Sequence, residues 1–139
     1  MSSISPLGRL LNASVSVTTA NTRFSLRDCS GILFLVTGAT TGNATLQEAN
    51  AASGGTIQNL AVITEYWTQN NGVWTRVVQA AAATAPSVTG GLTAFYVPQG
   101  ALSDGFSYLA VSHATGTIVP IMADLDVKRA PQNLRDVRA

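Results

Sequence analysis

Apolar residues in this chain recur at every second position, and Gly, Pro and Asn cut the pattern into short pieces. A period of two is that of a strand with one face buried, whereas a helix would need 3.6. Ala13, Val15 and Val17 alternate with Ser14, Ser16 and Thr18, and Phe24 and Leu26 resume the pattern after a break at Ala20 and Asn21. Residues 32–36 are apolar throughout between Gly31 and Gly38, which predicts a central strand covered on both faces. Further strands are expected at 45–49, at 93–97 before Pro98 and Gly100, at 106–112 after the Asp104-Gly105 turn, and at 117–127. Pro120 lacks an amide donor, so the last of these belongs at an edge or a bulge.

Two stretches read less cleanly. In residues 57–66, Ile57, Leu60, Ala61 and Thr64 fit a helical stripe, while residues 62–67 are strand formers. The second half is assigned to a strand because a hairpin signal follows it. Residues 80–85 are Ala-rich and end at Pro86, too short a run for an independent helix, so a loop with one helical turn is expected. About eight short strands and no helix of globular length predict an all-β fold, a β-sandwich or jelly roll. The 139 residues suffice for one such body, at 12–127. Residues 1–11 and 128–139 lack strand alternation, and Pro131 blocks continuation of the last strand, so both ends are read as extended arms.

Composition narrows what such a body does. Hydrophobic residues are 46% of the chain, but twenty are Ala and thirteen Val, and charged residues are only 11%. A surface so poor in charge is weakly protected against self-association and suits a protein largely covered by partners. The net charge is +1, with no basic stripe, so nucleic-acid binding is not expected. The longest apolar run is far too short to cross a bilayer, and the first residues lack the pattern of a signal peptide. The expectation is a soluble chain made in the cytoplasm, without a membrane partner. Cys29 is the sole cysteine and reads as a small buried hydrophobe.

Groups suited to catalysis are few. His113 is the sole histidine, no G-x-S-x-G elbow presents a nucleophile, and His113 is expected to cap a strand end near Gly116. One Cys and one His are too few for a zinc site. Gly38 to Gly42 is Gly-rich, but the only lysine is Lys128, so this is a turn and not a phosphate loop. Asp124 and Asp126 share a strand face with Lys128; a calcium site or acid pair is one reading, a solvated face the favoured one. No catalytic, cofactor or metal residues are expected, and the chain reads as a non-enzyme.

The most informative patch is a hairpin. Asn71-Gly72 is the preferred two-residue turn, which sets Gln69 opposite Trp74 and Trp67 opposite Arg76. Trp67, Gln69, Trp74 and Arg76 then share one face, and Tyr66, Val73, Thr75 and Val77 the other. A core on the Trp side makes the indoles packing; a core on the Tyr66 side leaves an aromatic pair with an Arg outside. Such an outer patch serves as an interface anchor or grips sugar rings.

Three stretches carry a resemblance: residues 29–36 after the opening strand, residues 44–50 with their Leu46-Gln47-Glu48, and residues 123–134, ADLDVKRAPQNL. With the strand at 106–111, they resemble the small virion structural proteins of tailed bacteriophages, of the capsid decoration or cement type. That resemblance implies a β-sandwich on the phage head, partnered by the major capsid protein and copies of itself. The Ala/Thr-rich residues 80–89 and the two tryptophans depart from the commonest pattern. Expected assembly contacts are Leu7, Arg9, Leu10 and Leu11 in the first arm and Trp67, Trp74 and Arg76 on the hairpin. Lys128, Arg129, Leu134, Arg135, Val137 and Arg138 are those of the second arm. A head–tail connector or tail component, and a carbohydrate-binding or adhesion module, are the alternatives.

Overall fold

Ten strands form in the computed structural model, which describes residues 22–27, 29–38 and 42–125, with the backbone alone at 123–125. They are β1 (Arg23–Ser25), β2 (Cys29–Thr37), β3 (Asn43–Ala49), β4 (Ile57–Asn59) and β5 (Ile63–Asn70). β6 (Val73–Ala82), β7 (Thr84–Pro86), β8 (Leu92–Pro98), β9 (Tyr108–Ser112) and β10 (Thr117–Leu125) complete the set. One turn of 3-10 helix, Gln99–Ala101, follows β8.

The strands make two antiparallel sheets. One runs β10-β2-β8-β5-β6; the other runs β1-β9-β3-β4, with β7 also paired to β3. Alternation decides which side chains meet between them. Ile32, Phe34 and Val36 of β2, Phe95 and Val97 of β8, and Ile118 and Met122 of β10 are buried against Phe24, Leu46, Leu109 and Val111. Phe34 sits at the centre, its ring 5.9 Å from Phe24 across the sheets and 5.5 Å from Phe95 beside it. The expected all-β sandwich is therefore the fold. Pro120 lies on β10, an edge strand that pairs with β2 alone among the described residues, where a missing amide costs nothing.

Three expectations change. β2 is central, but only one of its faces is sealed: Leu33 and Leu35, which alternate with Ile32, Phe34 and Val36, are half-buried. Among the described residues, no second layer covers the outer face there. Residues 80–85 are not a loop with a helical turn. β6 continues to Ala82 and β7 begins at Thr84, because pairing with β5 and β3 outweighs the helical preference of a short Ala run. Gln79 makes this possible. The register slips between Ile63 and Glu65, and the Gln79 side-chain amide donates to the carbonyls of Ile63 and Thr84, both at 3.0 Å. Finally, the first half of residues 57–66 is also extended, as β4, bonded to β3 with Gln47 opposite Asn59.

Candidate functional site

The hairpin has the register that its turn demands. Asn71 and Gly72 have φ of 52° and 79°, the left-handed pair of a two-residue turn, and Trp67 lies opposite Arg76 and Gln69 opposite Trp74. Tyr66 is buried and Val77 packs against the core, so the core lies on the Tyr66 side. The tryptophans therefore face outward, at 41% exposure for Trp67 and 45% for Trp74. The reading of the two indoles as core packing is excluded.

Neighbouring strands widen the patch. β8 pairs with β5 so that Ala94 lies opposite Trp67, and Tyr96, two residues on, is 45% exposed. β2 lies beyond β8, with Leu33 opposite Tyr96 and Leu35 opposite Ala94, and β10 sets Ile121 and Val119 beside those two leucines. The outer side of the β10-β2-β8-β5-β6 sheet is thus largely apolar, with Trp67, Trp74 and Tyr96 standing on it and Glu65, Gln69 and Arg76 at its β5–β6 end. Leu33, Trp67, Tyr96 and Pro98 line the mouth of a cleft of about 330 Å³ that reaches down to Ile63 and Phe95 of the core. Arg76 reaches Glu65 with Nε at 2.9 Å and Nη2 at 2.5 Å from Oε2. Both side chains are about half exposed, so the pair contributes little to stability and chiefly orients the guanidinium.

Tyr96, Leu33, Leu35 and Glu65 were not singled out from the sequence. Each strand's own alternation exposes them, but which strands lie side by side is set by long-range pairing. Leu7, Arg9, Leu10, Leu11, Lys128, Arg129, Leu134, Arg135, Val137 and Arg138 lie outside the described residues. So do the strand expected at 13–18, Asp126 and the side chain of Asp124, and hence their expected shared face with Lys128.

His113 follows β9 directly and is buried. Its Nδ1 accepts the Thr115 amide at 3.1 Å, and its Nε2 lies 2.5 Å from Ser87 Oγ. With Nδ1 as acceptor, the neutral ring carries its proton on Nε2 and donates to the hydroxyl, the reverse of what activation of a serine requires. This geometry ties the end of β9 to the segment after β7. Cys29 is buried, with Sγ donating to the Leu26 carbonyl at 3.3 Å. Among the described residues, no three His, Cys, Asp or Glu side chains gather as a metal site would require.

A buried carboxylate is the other feature missed in the sequence. Glu48 continues the inward face of β3 after Ala44 and Leu46 and is almost fully enclosed. Its Oε1 accepts the Ser103 amide at 2.9 Å; its Oε2 accepts the Ser103 hydroxyl at 2.7 Å and the Gln58 amide at 2.6 Å. Burial pushes this carboxyl up, but the Ser103 amide, the Ser103 hydroxyl and Gln58 more than offset it and hold it below its usual 4.5. The group is a structural tie between β3, β4 and the loop before β9.

No protein-family model, curated protein or solved structure matches the chain at a significant level.

Proposed function

We propose that this chain is a non-enzymatic virion structural protein, a capsid decoration or cement protein that stabilises a phage head by bridging capsid subunits. The observation that carries the reading is the aromatic face on which Trp67, Trp74 and Tyr96 stand exposed. Contiguous apolar surface of this kind marks an interaction site, and Trp, Tyr and Arg are the residues that anchor protein interfaces. The low charge and the resemblance of residues 29–36, 44–50 and 123–134 to phage head proteins support the same reading. Its partners are then the major capsid protein and copies of itself. The sandwich sits at a junction between subunits while the arms, with Leu7, Leu10, Leu11, Leu134 and Val137, spread the contact onto neighbours. A head–tail connector or tail component is the alternative within the virion.

The exposed indoles beside Arg76 also favour a second reading, a carbohydrate-binding module, and one experiment separates the two. The full chain should co-sediment with undecorated shells. Trp67→Ala should weaken that binding roughly tenfold or more, as expected for an interface anchor. Deletion of residues 128–139 should weaken it further, the ionic part of the arm's contribution fading as salt is raised. Shell binding unaffected by both changes, together with Trp67-dependent capture on a glycan array, would favour the sugar reading instead.

A further inference from the structure

Among the described residues, β6 leaves one side of its ladder unused. It is the end strand of its sheet, bonded among the described residues to β5 alone, and it is ten residues long. Edge strands are ordinarily protected by shortness, by Pro or Lys, or by an inward charge. Val73–Ala82 contains no Pro and no Lys, its single charge, Arg76, points outward, and its bulge lies past Val78, leaving Val73 to Val78 regular. Val73 and Val78 are each 65% exposed, with Thr75 exposed between them.

The hairpin decides which backbone groups are free. A two-residue turn makes Asn70 and Val73 a hydrogen-bonded pair, and with them Thr68 with Thr75 and Tyr66 with Val77. Trp74, Arg76 and Val78 therefore direct their N–H and C=O groups away from β5. The same phase aims Trp67 and Gln69 at β8, where they lie opposite Ala94 and Leu92. A row of donors and acceptors runs along the open side of β6.

We propose that this edge pairs with the same edge of a second copy. The two strands run antiparallel about a two-fold axis at Thr75, so that two five-stranded sheets become one. The pairing deepens the self-association in the proposed function and rests on that reading of the chain as an assembly module. Charge selects the register. An axis at Arg76 would set it opposite Arg76 of the partner subunit, and directly opposed like charges are destabilising. An axis at Val77 would give Arg76 only Val78 of the partner subunit. With the axis at Thr75, Trp74 lies opposite Arg76 of the partner subunit, twice, and Val73 meets Val77 of the partner subunit on the other face. Arg76 suits this role because its edge already holds Glu65 and its planar face is left for the indole.

Sedimentation equilibrium of the full chain at micromolar concentrations tests the pairing, with Trp74→Glu and Trp74→Lys as variants. In this register a carboxylate at 74 faces Arg76 of the partner subunit and the dimer is kept, whereas an ammonium there weakens it roughly tenfold or more. A monomeric wild type, or two variants that dissociate alike or not at all, would overturn the proposal. Should either variant fail to fold, Thr75→Cys replaces it. In a non-hydrogen-bonded pair about 4.5 Å apart, that thiol should link to its symmetry mate under oxidised glutathione, giving a dimer that reductant splits. Cys29 is buried and does not compete. No cross-linking would likewise count against the pairing. A monomeric chain that still binds shells would sink this inference and leave the proposed function intact.

Discussion

Phe34→Ala is expected to destabilise the folded chain by about 3–5 kcal/mol, the range for removing a large aromatic from a packed core. The effect should be large because Phe34 belongs to both halves of the sandwich. It is fully buried on β2, touches Phe95 on the neighbouring strand, and meets Phe24 on the opposite sheet. Removing its ring opens a cavity lined by rings on rigid strands, which cannot collapse easily to fill it. Denaturant unfolding followed by tryptophan fluorescence should report a lower midpoint with little change in slope. Phe34→Leu keeps much of the volume and should recover most of the loss. A midpoint for Phe34→Ala within error of the wild type would mean that the two sheets are not packed through this residue.

Glu48→Leu should cost about 1–3 kcal/mol, because it removes the charge-assisted hydrogen bonds that tie β3 to Gln58 and Ser103, two exposed residues whose donors water can then reach. The Ser103 amide, the Ser103 hydroxyl and the Gln58 amide all converge on this one group. The tie also has a pH signature. Its carboxyl is held below the usual 4.5 in the folded chain, so its contribution is fully present above that value. The contribution is lost as pH falls from 4.5 through the folded value. Thermal melts of wild type and Glu48→Gln should therefore differ most near neutrality and converge in acid. A difference that stays constant from pH 7 to strong acid would show that the charge of Glu48 plays no part.

What was legible in the sequence follows the range of the interaction involved. Asn71-Gly72 fixes a pairing between residues only a few positions apart, and the register from Trp67 to Arg76 could be written down from it. The side of the hairpin that faces the core could not. Tyr66 turns inward because the second sheet lies there, and that sheet is built from strands distant in sequence. Glu48 escaped notice for the same reason: Gln58 is ten positions away and Ser103 fifty-five. In residues 80–85, local composition pointed away from the outcome, since an Ala run has no strand preference of its own. Its extended form comes from β5 and β3 on either side and from Gln79 bridging the bulge. The aromatic face was half legible. Trp67, Trp74 and Arg76 were grouped correctly, but Tyr96 joins them only because β8 pairs with β5.

The measurement that bears most directly on the proposed role is the number of copies of this chain on a purified phage particle, by quantitative mass spectrometry against the major capsid protein. A decoration or cement protein occupies equivalent junctions over the whole shell, so hundreds of copies per particle are predicted. About six or twelve copies, the stoichiometry of a ring at one vertex, or none at all, would contradict it.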